Sequence, residues 1–296
     1  MFSFAAQAAH GQQKLAAPGV VEVATVVTVL GRKSAPPQLI QQEDVNVYEG
    51  RDHKDVLYWF PARGERADLQ LAIVIDDADV KIGNQLEQLR KFILAQPKTT
   101  SIGLYYASNG AIQAASQLNP DHRPVAKSLR LPIGTVGNFS SVYQALSLLM
   151  SGWPSTGARR EILLISEGFD AFNSGMSSPA ADAATDAAQS RGIIIYPLFV
   201  NAVGRFAPYA SSGLNYLSQL AGATGGDLLF LGMDTPPSFE PYLSQLSTIL
   251  QNQYFLVWRT TPPRTKKGQL RSFKVRLEET NVRLTAADKI FVPALP

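Results

Sequence analysis

The chain has 296 residues, 45% of them hydrophobic and 17% charged, a globular balance that excludes a disordered or fibrous chain. Its 27 basic and 24 acidic residues leave a net charge of +3, too slight a field to favour a nucleic-acid partner. The absence of cysteine removes disulfides, thiolate catalysis and zinc-thiolate sites together.

The first 19 residues open with "MFSFAAQAAHGQQ", small residues in an A-x-A arrangement without a basic leader, which reads as the stub of an export signal or as a flexible end. No apolar run reaches the roughly 18–20 residues of a membrane-spanning helix, so no such segment is expected. Residues 20–66 hold β-branched and aromatic runs, "VVEVATVVTVL", "VNVY" and "VLYWF", separated by turn-forming stretches. They form the first part of a β domain. From residue 67 to 252 apolar strand-like runs alternate with stretches of helical period. "LQLAIVI" precedes a helix carrying Ile82, Leu86, Leu89 and Ile93 on one face, and "SIGLYYA" precedes one carrying Val142, Ala145, Leu146 and Leu149. After "EILLIS" comes a helix marked at both ends: Ser178 at the cap, Pro179 at the first helical position, Asp182 in the first turn and Gly192 just past the last. "IIIYPLFV", "LNYLSQLAG", "DLLFL" and "EPYLSQLSTILQNQ" continue the alternation.

This order predicts a doubly wound α/β domain, a mostly parallel sheet with helices on both faces. Residues 253–296 return to strands, "YFLVW", "RSFKVRLEE" and "KIFVP". In the second of these Phe273, Val275 and Leu277 alternate with Lys274, Arg276 and Glu278. Neither chain end has strands enough for a stable sheet, so the two are expected to combine into one small sandwich-like β domain.

Ligands of open α/β sheets sit beyond the carboxyl ends of the strands, where "LAIVIDDADV" places Asp76, Asp77 and Asp79. "DADV" matches the D-x-D-x-[TV] string of haloacid dehalogenase-type phosphohydrolases, with Asp77 as nucleophile and Asp79 as general acid. The later acidic pair that such an enzyme needs for magnesium is missing. In the blandest reading the acidic residues cap the next helix or face water.

"LAIVIDDADV", "GNFSSVYQAL", "REILLISEGFD" and "GIIIYPLFV", in that order, resemble the von Willebrand factor type A domain. The opening β segment, "LSQLAGATGGDLLF" and the closing strands resemble a bacterial subfamily, the VWFA-related proteins, over roughly residues 20 to 293. The resemblance implies a non-catalytic protein-binding or adhesion module that is secreted, periplasmic or at the cell surface, with a protein partner and no nucleic acid. It also implies a divalent-cation site, degenerate here. Asp76, Ser140 and Glu167 fall at three ligand positions, while Ala78 and Val80 stand where two serine hydroxyls belong. The cofactor expected is therefore none, or weakly bound Mg or Mn. Asp77, Asp79 and Tyr209 are the candidate partner-binding residues of the same rim.

His10, His53 and His122 show no ligand spacing and read as surface histidines. Trp59, Trp153 and Trp258 read as packing residues. "NFS" at Asn138 reads as a turn. There is no G-x-S-x-G, phosphate loop or dinucleotide fingerprint.

Overall fold

The structure, a computed structural model, describes residues 19–32, 40–77, 82–133, 141–154, 156–170, 177–201, 210–230, 232–279 and 281–295. Four strands come first: β1 (Val21–Gly31), β2 (Val45–Glu49), β3 (Asp52–Lys54) and β4 (Val56–Pro61). The alternating part holds β5 (Leu69–Asp76), α1 (Gln85–Ala95), β6 (Thr100–Ser108), β7 (Ala111–Asn119), α2 (His122–Lys127), α3 (Val142–Ser151) and β8 (Arg159–Ser166). It continues through α4 (Pro179–Arg191), β9 (Ile193–Phe199), α5 (Ala210–Thr224) and α6 (Glu240–Gln251). Four strands close the chain: β10 (Gln253–Thr260), β11 (Gln269–Leu277), β12 (Val282–Thr285) and β13 (Lys289–Val292).

The central sheet has five strands in the order β7-β6-β5-β8-β9. All neighbours run parallel except the β6–β7 pair. Strand β5 is apolar from Leu71 to Ile75 because helices cover both its faces. Leu71, Ile73 and Ile75 pack with Leu89 and Ile93 of α1, Val125 of α2 and Leu246 of α6. Ala72 and Val74 point the other way, toward Val142 and Leu146 of α3, Ala184 and Ala188 of α4, and Leu217 of α5. The doubly wound α/β arrangement read from the sequence is thus the observed one.

The chain leaves β5 toward β6 on one side and later enters β8 on the other. The carboxyl ends of β5 and β8 therefore form the point at which the winding reverses, where such sheets hold their ligands.

Strands from the two chain ends interleave in two four-stranded sheets, β12-β1-β10-β4 and β13-β11-β2-β3. One buried core joins them, built from Val27, Val47, Leu256, Trp258, Phe273 and Val292 among others. Trp59 stacks on Tyr254 with ring centroids 4.6 Å apart, and Trp258 on Phe273 at 4.9 Å. Trp153 is buried and donates to the Gln70 side chain at 2.7 Å. All three tryptophans pack, as expected.

Three expectations need correcting. Among the described residues of "DLLFL", 227–230, there is a single bridge, Leu198 to Leu229, rather than a strand. His122 is buried, its Nε2 2.7 Å from the Thr100 carbonyl oxygen, and is not a surface histidine. The hairpin strand β7 and the short helix α2 lie where no element was expected. His53 does lie at the surface, 3.3 Å from the Asn46 side chain, while His10 and Asn138 fall outside the described residues.

Candidate functional site

Strand β5 delivers Asp76 and Asp77 to the reversal point, and β8 delivers Ser166 and Glu167. Asp76 is 4% exposed, and the Ser166 hydroxyl donates to its Oδ2 at 2.8 Å. The same hydroxyl accepts from the Gly168 amide at 2.9 Å, so one serine ties the end of β5 to the loop that leaves β8. Glu167 is 4% exposed and Asp170 is fully buried. The Ser178 hydroxyl donates to Asp170 Oδ2 while accepting from the Ala181 amide at 3.1 Å, which links this loop to the cap of α4.

Beneath the loop lies the fully buried Tyr143 of α3, whose hydroxyl donates to the Gly168 carbonyl at 2.8 Å. Burial pushes this phenol well above its ordinary range, and the carboxylates of Asp170, Glu167 and Asp76 push it further. Tyr143 therefore stays protonated and acts as a fixed donor. Gly168 has φ of +72°, and a Cβ on Gly213 of α5 would stand 2.2 Å from the Glu167 carbonyl oxygen. The loop is seated by backbone-to-backbone contact on α5 that only glycine permits.

Asp77 has a different environment. The Arg130 guanidinium meets it edge to edge, Nη1 at 2.7 Å from Oδ1 and Nη2 at 2.9 Å from Oδ2, and the Ile133 amide donates to Oδ1 at 3.0 Å. Arg130 in turn lies over the Tyr106 ring at 3.8 Å, and its amide donates to the Tyr106 hydroxyl at 2.8 Å. This clasp pins the segment after α2 to the rim of the sheet.

The first two acidic residues accordingly neither cap the next helix nor face water. Helix α1 begins only at Gln85, and Asp77 is 5% exposed. Asp77, a candidate partner-binding residue, is engaged by Arg130 through both carboxylate oxygens and keeps 7% of its side chain exposed. The phosphohydrolase reading is not supported either. A carboxylate held edge-on by a guanidinium, with three hydrogen bonds to its two oxygens and little exposure to solvent, is poorly placed to attack a phosphorus atom in line.

Of the remaining candidates, Asp76 and Glu167 stand at the adjoining ends of β5 and β8. Asp79, Ser140 and Tyr209 lie outside the described residues, as do Ala78 and Val80. Among the described residues no three acidic or histidine side chains converge to hold a cation. The described donors alone therefore do not make a metal cage. The sequence reading gave Asp170 only as part of a polar loop, where the structure buries it, and it missed Ser166, Tyr143 and Arg130. The serine and aspartate lie in the "SEGFD" already singled out, but the pairing of Arg130 with Asp77 spans 53 positions and left no local signal.

No family model matches the chain, and no curated protein sequence matches it. Solved structures do. An aerotolerance-related membrane protein from Bacteroides fragilis NCTC 9343 is 14% identical, with a TM-score of 0.44 over 62% of this chain and 98% of its own. The SpRpn10 VWA domain is 11% identical, with a TM-score of 0.44 over 61% of this chain and 95% of its own. The manganese-loaded TRAP protein of Plasmodium vivax is 11% identical, with a TM-score of 0.42 over 82% of this chain and all of its own. At such likeness the architecture rests on the chain's own strands. Parallel β5, β6, β8 and β9, the antiparallel edge β7 and helices on both faces give the central part a von Willebrand factor type A-like fold, as the sequence resemblance implies.

Proposed function

We propose that the chain is a non-catalytic protein-binding module, acting at the cell surface or in the periplasm, that recognises its partner with the loops at the carboxyl ends of β5, β6 and β8. One observation carries this reading. The segment that Asp77 and Arg130 clasp to the rim presents Leu131 at 53% and Ile133 at 74% exposure, two large apolar side chains held outward beside the reversal point. A mobile loop exposing them would lose much of any contact energy on ordering. A clasped one arrives already ordered and loses little. Exposed apolar anchors on a braced backbone are what a partner's pocket engages.

Within this reading Asp79 and Tyr209 belong to the same face. Asp76, Ser140 and Glu167 form a degenerate cation site that holds Mg or Mn weakly or not at all, since Ala78 and Val80 bring no side-chain oxygen. The chain is divided at residues 67 and 252, with the β part serving as a base. No helix among the described residues is long and apolar enough to cross a membrane.

The test places a photo-crosslinking residue at position 131 or 133 in the intact chain, and separately at Leu148, which is 54% exposed on α3. A discrete adduct from the rim positions and none from position 148 is expected in the native cells. The same adduct pattern from all three positions would overturn the reading. Calorimetric titration with Mg and Mn checks the cation. Weak heat, or none, is expected, and a tight saturable site that Asp76→Ala abolishes would refute the cation half of the proposal.

A further inference from the structure

The β-sandwich carries a concavity of about 550 Å³ at one end, lined by Glu49, Asp52, Lys54, Thr261, Arg271 and Ser272 among others. Its floor is charged. Glu49, at the end of β2, keeps only 4% of its side chain exposed. Its Oε1 accepts from the Trp258 indole at 2.8 Å, and its Oε2 accepts from the Thr260 hydroxyl at 2.8 Å and from Arg271 Nη1 at 3.0 Å. The same Nη1 donates to the Thr261 carbonyl at 2.8 Å.

Every side-chain hydrogen bond that Arg271 makes to a described residue therefore runs through Nη1. Its Nε and Nη2 have no acceptor among the described residues, and they are not sealed away, since the side chain is 24% exposed. Nε and Nη2 form the edge through which a guanidinium takes a carboxylate with two parallel hydrogen bonds. Here that edge is oriented in advance, because buried acceptors on two sheets fix Nη1. Glu49 takes donors from an indole and a hydroxyl as well, so it does not need the rest of the guanidinium. Lys54 lines the same concavity and meets Asp52 only at 3.8 Å, while Asp52 is 80% exposed.

We propose that this mouth of the sandwich is a second binding site, which takes a carboxylate of the kind a peptide carries at its C-terminus. Nε and Nη2 of Arg271 hold its two oxygens, and Lys54 supplies a second positive charge. The site lies apart from the rim and does not depend on it.

The experiment follows the Arg271 Nε–H resonance of the full chain during titration with N-acetyl-trialanine, its C-terminal amide, and inorganic phosphate. Saturable movement with the free acid and none with the amide is expected. In Arg271→Lys, which keeps the charge beside Glu49 but cannot offer two parallel donors, binding followed by calorimetry should weaken about tenfold or more. Lys54→Met keeps the unbranched apolar stem of a side chain that is only 17% exposed, and it should fold normally while binding several-fold more weakly. It serves if the Arg271 variant does not fold. Equal response to acid and amide, or no saturation with any probe, overturns the proposal, and saturation with phosphate alone overturns the choice of a carboxylate.

Discussion

At the scale of single residues, the two adjacent aspartates at the end of β5 have separate duties. Asp76 joins β5 to the loop after β8 through Ser166, and Asp77 joins β5 to the segment after α2 through Arg130. Removing one partner of a buried ion pair strands the other. A wholly buried pair loses about 3–5 kcal/mol in that way, and Arg130→Ala should lose rather less, about 2–3 kcal/mol, because the guanidinium is partly solvated. Urea denaturation checks the magnitude, and a loss below 0.5 kcal/mol would show that the clasp contributes nothing to stability. Asp77→Asn keeps an acceptor for the Ile133 amide and should cost less. The sequence made the position of these acids legible, since an apolar strand running into carboxylates in an alternating α/β chain marks a strand's carboxyl end. It did not make their partners legible. Ser166 and Arg130 are ordinary residues until the fold brings them near, and hydrogen bonds across 90 and 53 positions have no periodicity to betray them.

Among the elements, those announced by local chemistry were read well. Helix α4 has Ser178 at its cap accepting from the Ala181 amide, Pro179 in its first turn and Gly192 at φ of +62°, each where its residue type belongs. Strand β7 was missed because "AIQAASQLN" is short of β-branched residues and mostly exposed, as an edge strand can be. A signal was present nonetheless. Asn109 and Gly110 both have positive φ, and Asn-Gly between two strands is a strong mark of a tight hairpin. Helix α5 shows the opposite case, a sequence that looks locally unfavourable and is right for tertiary reasons. Gly213 costs the helix about 1 kcal/mol relative to alanine, yet a methyl there would enter the Glu167 carbonyl, which is backbone and cannot turn aside. Gly213→Ala should therefore destabilise by about 1–3 kcal/mol despite its gain in propensity. Thermal melting decides the sign, and an unchanged or higher midpoint would mean that the loop gives way.

Over the whole molecule, the pairing of the chain ends followed from strand counting, since β1 and β4 both lie against β10, which a truncated chain would lack. The joint between the sandwich and the α/β part was not legible, because it is polar and depends on side chains far apart in the chain. Gln253, the first residue of β10, donates to Glu161 Oε2 at 3.1 Å and to the Tyr196 hydroxyl at 2.9 Å, and it accepts from Arg159. Arg159 also donates to the carbonyls of Leu250 and Ala67, both at 3.0 Å, so it grips the two chain segments that pass between the parts. Burial raises the Glu161 carboxyl above its usual range even with Arg159 at 3.7 Å, because that distance gives attraction without a hydrogen bond. Gln253 is thus the neutral group that satisfies a charged pair on one side while its backbone belongs to the sheet on the other. Truncating it to alanine leaves Glu161, Tyr196 and Arg159 each one hydrogen bond short, at about 1–3 kcal/mol, and removes one buried polar tie across the joint. The intact protein should then unfold in one calorimetric transition, and Gln253→Ala in two, since each part keeps its own apolar core. A single transition merely shifted to lower temperature would show instead that the remaining ties, the apolar contacts of Val26 and Leu30 on β1 with the α/β core and the polar contacts of Asp227 with Arg283 and of Gln189 with Asp288, hold the two parts together without Gln253.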